Sequence, residues 1–202
     1  MSRKTYSSLL ICSFLILTSC ASSYKSINPE RVQYGTRIME SGIEFSYKYN
    51  VLKESGNKKY AKKEDKKNLQ LVAVRVTNRS DSQIIFEEDV TLYAGGRMLR
   101  PIDPDIIKSQ LKQNAPLYLL YSLLWLQISS CEDNECDTTN LPIGVPIALG
   151  NMAVAGSANG KLLEELNEYD ILDRPINPGE TVYGIIGIKD TGYNPLTIQI
   201  RD

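Results

Sequence analysis

Along residues 43 to 51 the apolar side chains Ile43, Phe45, Tyr47, Tyr49 and Val51 alternate with Glu44, Ser46, Lys48 and Asn50. A period of two is that of a strand with one face buried and the other in water. A second run, residues 69 to 77, sets Leu69, Leu71, Ala73, Arg75 and Thr77 against Gln70, Val72, Val74 and Val76, and is the expected partner of the first. The residues between them, 53 to 68, are rich in lysine and read as a solvated connector. Asn78 to Ser82 form a turn cluster, short strands are expected at 84–86 and 90–93, and Ala94-Gly95-Gly96-Arg97 reads as a hairpin turn.

Near residue 103 the pattern changes. Asp103-Pro104-Asp105 supplies a capping carboxylate, a proline where a helix needs no N–H, and an acid at the positive end of the helix dipole, which predicts a short helix through Ile106, Ile107 and Leu111. Asn114-Ala115-Pro116 repeats the signal, and residues 117 to 128 (LYLLYSLLWLQI) are apolar nearly all round, as in a buried helix. A loop with Cys131 and Cys136 follows, then residues 143 to 159, rich in glycine and alanine, and the more polar 161 to 168. This predicts a helical hairpin with the cysteines at its tip. Asn177-Pro178-Gly179-Glu180 is a turn, residues 181 to 188 are rich in β-branched side chains, and Asn194-Pro195 turns the chain into a last strand, 196 to 200. Strands on both sides of a helical block predict one mainly β domain, residues 32 to 202, with a helical insertion at about 103 to 170 and strands pairing across it.

At 202 residues and 42% hydrophobic content the chain is long enough to bury a core. Of its 23 basic residues two, Arg3 and Lys4, lie in the first few positions, so 21 remain against 24 acidic ones. That mild acidity argues against a nucleic-acid partner, whose phosphates require a basic face. The absence of histidine removes the commonest general base, the commonest zinc ligand and every Ser-His or Cys-His nucleophile arrangement.

The first twenty residues have a basic start, an apolar stretch from residue 9 to 17 too short to span a bilayer, and small residues before Cys20. The run Leu17-Thr18-Ser19-Cys20 resembles the bacterial lipobox, with an aliphatic residue three before the cysteine and small residues between. That resemblance implies that residues 1 to 19 are a signal peptide and that Cys20 is acylated and becomes the N-terminus. Each buried acyl methylene gives about 0.8 kcal/mol, so two or more chains hold the protein at a membrane. Ala21 stands where an aspartate favours inner-membrane retention, so the outer membrane is the expected address. Residues 20 to 31 are the expected anchor and tether, and residues 21 to 28 (ASSYKSIN) are small and polar, as a flexible tether should be. Outside the cytoplasm Cys131 and Cys136 are expected to form a disulfide.

Residues 71 to 78 (LVAVRVTN) followed by Ser80-Asp81-Ser82, and later Ile176-Asn177-Pro178-Gly179-Glu180-Thr181-Val182-Tyr183-Gly184, resemble a recurrent pattern of bacterial envelope lipoproteins with immunoglobulin-like domains. In them a strand ends in an asparagine-led turn, and a Pro-Gly-Glu turn launches another strand. The resemblance implies an immunoglobulin-like antiparallel β-sandwich, a fold used for binding, spacing and assembly.

Four candidate features remain. Trp125, with Leu120 and Leu124, supplies bulk that the small faces at Gly156 and Gly160 can accept, either within the hairpin or against a membrane or partner protein. The acidic loop 131 to 137 lacks the glycine and the later glutamate of a calcium loop, so no metal is expected. The lysine connector is a candidate for anionic headgroups. Phe45, Tyr47 and Tyr49 are a candidate sugar-stacking row, although their alternation fits a core face better. The reading is therefore a lipid-anchored envelope lipoprotein without catalytic residues or cofactor, acting by binding or as an accessory of an envelope assembly. A glycan- or ligand-binding lipoprotein is the alternative; a hydrolase working through carboxylates is the second.

Overall fold

The computed structural model describes residues 20–132, 135–190 and 192–201, so the leader expected over residues 1–19 lies outside the described residues. The chain forms several antiparallel sheets and, among the described residues, five α-helices. It divides into two compact units. Tyr24–Lys112 with residues 159–201 make a sheet unit; residues 20–23 with Gln113–Ala158 make a smaller one, the apolar unit.

In the sheet unit, β1 (Thr36–Glu40), β2 (Ile43–Lys48), β3 (Leu69–Asn78) and β10 (Thr181–Lys189) form one antiparallel sheet in the order β1-β2-β3-β10. The strands β5 (Val90–Ala94), β6 (Arg97–Leu99) and β11 (Leu196–Ile200) form a second, in the order β11-β5-β6. A two-residue pair, β4 (Ile84–Ile85) with β9 (Pro175–Ile176), completes the set, and the one-turn helix α3 (Phe86–Asp89) joins β4 to β5. The expected pairing of β2 with β3 is present, with Phe45 opposite Val76 and Tyr47 opposite Val74. So is pairing across the helical block, where β10 runs along β3 and β11 along β5. Phe45, Val74, Val76 and Ile186 from the first sheet and Leu92, Leu99, Leu196 and Ile198 from the second share one buried cluster. Removal of those side chains from water is the main stabilising term of the unit.

The other face of the larger sheet is also buried, which the alternation in β2 did not predict. Glu44 and Ser46 are buried rather than wet, and so are Leu69, Leu71 and Ala73 on β3. Arg37, Arg75 and Arg79 cover Glu44 and Ser46, and helices cover the β3 positions. The lysine-rich segment is no loop: it folds into α1 (Val51–Glu54) and α2 (Lys58–Lys67), and α2 buries Tyr60 and Glu64, one turn apart, while Lys58, Lys62, Lys66 and Lys67 face water. The helix α4 (Pro104–Leu111) begins as expected, Asp103 accepting from the Asp105 and Ile106 amides, and buries Ile107 and Leu111. It approaches β10 so closely that a Cβ at Gly187 would lie 2.5 Å from Ile107 Cδ1.

The two turns quoted for the immunoglobulin-like resemblance are one structure, although about 100 residues separate them in sequence. The Asn78 amide N–H donates to Glu180 O at 2.9 Å and the Gly179 amide to Asn78 O at 2.7 Å. The buried Asn78 side chain donates to Ile176 O (2.9 Å) and Ser82 O (2.7 Å) and accepts from Ser80. Gly179 sits at φ 79°, a left-handed position that glycine takes without strain.

The apolar unit departs from the expected hairpin of two helices. Only its second arm is α-helical: α5 spans Gly144–Glu168, and its residues up to Ala158 belong to this unit. The first arm is a 3-10 segment, Ala115–Leu123, followed by a β-hairpin of β7 (Leu126–Glu132) and β8 (Glu135–Leu141). Cys131 and Cys136 face each other across that hairpin and are bonded, with sulfurs 1.98 Å apart.

Candidate functional site: the segment from Cys20 and the apolar surface

Cys20 is partly exposed, and the backbone after it is fixed at once. Within the apolar unit the Ala21 amide donates to Asn151 Oδ1 at 2.6 Å. Gln113, itself buried, meets both backbone groups of Ser22, accepting from its N–H at 3.1 Å and donating to its carbonyl at 2.6 Å. Asn151 is set by its own bond to Ile147 O one helical turn back.

The next residues are held inside the sheet unit. Glu165, buried on α5, accepts from the Tyr24 hydroxyl (2.5 Å), the Ile27 amide (2.8 Å), the Asn28 amide (2.9 Å) and the Ser26 hydroxyl. Asn57 repeats the pattern at Lys25, accepting from its N–H at 2.9 Å and donating to its O at 2.6 Å. Tyr24 stacks edge-on to Tyr60 at 5.6 Å, and burial, with the hydrogen bond to Glu165, pushes its hydroxyl pKa well up. The stretch expected as a flexible tether is therefore pinned. A single buried carboxylate organises it, because four donors converge where water is excluded.

The apolar unit buries little of its own. Among the described residues, the buried apolar side chains of Gln113–Ala158 are Ala148, Ala155 and Ala158 alone, whereas twelve of the sixteen exposed large apolar side chains fall in that segment. Leu123 is 72% and Trp125 63% exposed. They cluster by connectivity: the Gly144 amide donates to Leu124 O at 2.9 Å and Leu126 is opposite Leu141, which gathers Leu123, Trp125, Leu126, Leu141, Ile143 and Val145 around one joint. At that joint a Cβ on Gly144 would sit 1.9 Å from Tyr121 O, so only glycine fits. Close approach expected at Gly156 and Gly160 occurs here instead; a Cβ at either of those would meet nothing within 4 Å. The two glycines sit on open helix surface.

Along α5 the buried positions Gly144, Ala148, Ala155, Ala158, Leu162, Glu165 and Leu166 follow one helical stripe. The opposite face changes character partway. Through Ser157 it presents Val145, Leu149, Gly150, Ala153 and Val154 with no charge; from Lys161 it presents Lys161, Glu164 and Glu168. Between Gln113 and Gly160 there is no Lys or Arg, and the four acids all lie in the hairpin tip, residues 132–137. Asp133 and Asn134 of that tip lie outside the described residues; Glu135 and Asp137 are exposed. Among the described residues no helix is long and apolar enough to cross a membrane.

Two polar sites belong to the sheet unit. Glu44, 5% exposed, is gripped by Arg37 (2.6 Å), Arg79 (2.8 Å) and Arg75 (3.4 Å). Burial alone would raise its pKa, but the bonds and charges of Arg79 and Arg37 outweigh that and hold the carboxyl below its usual range. Elsewhere a cavity of about 210 Å³ is lined by Asn50, Glu64, Asp65, Asn68, Gln70, Asp190 and Tyr193. Burial pushes the Glu64 pKa up to about 8, partly countered by the Leu71 amide donating to it at 2.6 Å. Asp190 is bound by Arg97 (2.7 Å) and the Asn194 amide (3.1 Å). Glu64 and Asp190 are engaged in holding the fold, and what remains is a small hollow lined mostly by polar side chains, with Leu71 among them. Of the aromatic row, Phe45 and Tyr47 are in the core, and Tyr49 pairs edge-on with the exposed Tyr193. No protein-family model, curated protein or solved structure matches this chain, so its chemistry has to be read from these residues.

Proposed function

We propose that this chain is a lipoprotein of the bacterial cell envelope, cut before Cys20 and held at the outer membrane by acyl chains on that residue. It is not an enzyme, and it acts by binding or as an accessory of an envelope assembly. The observation that carries the reading is the order of features along the chain: basic start, short apolar stretch, Leu17-Thr18-Ser19-Cys20, and hydrogen-bonded backbone from Ala21 onward. Every interaction described above is made by residues from Cys20 onward. A disulfide between Cys131 and Cys136 suits an oxidising compartment. We read the two sheets as an immunoglobulin-like sandwich, supported by their shared core and by the joined Asn78 and Pro178-Gly179-Glu180 turns. The hollow beside Tyr193 favours, as a second reading, capture of a small polar ligand.

The test is metabolic labelling with an alkyne fatty acid followed by membrane fractionation of the native protein and of Cys20→Ala. Label and sedimentation with the outer membrane, both lost in the variant, are the expected result. An unlabelled native chain in the cytosol would refute the reading.

A further inference from the structure

We propose that the apolar unit is a second membrane contact, its exposed surface around Leu123, Trp125, Leu126, Ile143 and Val145 seated in the interfacial layer of the leaflet that holds the acyl chains of Cys20. The inference rests on the lipoprotein reading and adds to it a defined orientation at the membrane. Where the mature chain begins is the first argument. Cys20 lies in this unit, and its neighbour Ala21 is bonded to Asn151, a half-buried position between Ala148 and Ala155 on α5. One residue spans about 3.5 Å, so acyl chains on Cys20 hold this unit close to the bilayer.

Composition is the second argument. An exposed apolar concentration of this kind needs a cover, and a lipid headgroup–acyl boundary accepts apolar side chains together with tryptophan and tyrosine. Trp125 belongs to this unit and is exposed. With no Lys or Arg from Gln113 to Gly160, attraction to anionic headgroups plays no part and the contact is made by apolar burial. Full crossing is not involved, since the part of α5 in this unit, Gly144 to Ala158, is fifteen residues, or about 22 Å of helix.

Trp125 is the one tryptophan of the chain and reports on the surface directly. The native acylated protein, its acylation verified by the mass of its N-terminal peptide, is reconstituted into phosphatidylethanolamine–phosphatidylglycerol vesicles, with and without brominated acyl chains. We expect blue-shifted Trp125 emission, loss of half or more of it with bromines placed near the headgroups, weaker quenching by bromines near the bilayer centre, and no change in high salt. The acylated Leu123→Glu/Leu126→Glu variant should stay on the vesicles while its Trp125 regains iodide quenching severalfold; intact far-ultraviolet dichroism shows that it is folded. Three results would overturn the proposal. One is Trp125 of the acylated protein as accessible to iodide as that of Cys20→Ala in buffer. Another is a blue shift insensitive to brominated lipid, which would point to a protein cover such as a second copy. The third is release of the contact by salt. A native chain without acyl groups fails the lipoprotein reading instead, and its mass separates that outcome from the other three.

Discussion

The sheet unit and the apolar unit are made from similar side chains put to opposite use. In the first, Phe45, Val74, Val76, Leu92 and Ile198 point inward from two sheets, and on the second face helices cover β3 while arginines cover Glu44 and Ser46 on β2. In the second, an even higher density of leucine points outward and the buried positions of α5 are alanine and glycine. The same helix serves both, apolar on its outer face through Ser157 and charged from Lys161. A unit whose interior is alanine lacks the apolar burial that stabilises a fold in water. Its large side chains are spent on a surface, and a bilayer is the cover proposed for it.

The contrast can be broken by substitution. Phe45→Ala should have the largest effect, a loss of about 3–5 kcal/mol in urea unfolding, because it opens a cavity between two sheets. Leu123→Ala, of comparable apolarity, is expected to change stability in water by no more than about 0.5 kcal/mol. Equal losses would mean that the apolar unit has a core of its own.

Glu64 sharpens the picture of the sheet unit. Its folded pKa, about 8, lies above the ordinary 4.5, so its carboxyl is favoured neutral. Stability from this group is full below pH 4.5 and declines as pH rises to about 8, by a few kcal/mol, because each tenfold change in proton affinity is worth about 1.4 kcal/mol. Glu64→Gln keeps the acceptor for Leu71 and should abolish that decline; unfolding curves across pH 4–9 would reveal it. Glu165→Ala strips the acceptor from Tyr24, Ser26, Ile27 and Asn28 at a cost of about 3 kcal/mol, with hydrogen exchange at residues 24–28 rising first. The joint change Cys131→Ser and Cys136→Ser is expected to cost about 2 kcal/mol, from so short a loop. Its effect should stay in β7 and β8, which limited proteolysis would cut while the sheet unit survives.

How much of this could be read from the sequence depends on the range of the forces involved. The pairing of residues 43–48 with 69–78, the Asp103 cap and the Gly95-Gly96 turn are local patterns and stand in the structure. Residues 117–128 misled because a run that is apolar nearly all round has no period, so helix, 3-10 turn and strand fit equally. The signal available there was Cys131 with Cys136, five residues apart, a spacing that suits a tight hairpin, flanked by Ile128, Thr138 and Thr139, which favour strands. Likewise the lysines of residues 58–67 hid Tyr60 and Glu64, whose spacing of four marks the buried stripe of α2. The pinning of residues 21–28 was not legible at all. It depends largely on backbone N–H groups meeting Asn57, Gln113, Asn151 and Glu165 far along the chain, and backbone donors carry no sequence signature.

The most direct test of the contrast compares exposed side chains of both units in one sample. Hydroxyl-radical labelling of native outer membranes is read residue by residue against the same protein as Cys20→Ala in buffer. Met98 in the sheet unit is 52% exposed and Trp125 in the apolar unit 63%. The account predicts that Met98 is labelled at the same rate in both states while Trp125 and Leu123 are protected severalfold in the membrane. Unchanged labelling of Trp125 would contradict it.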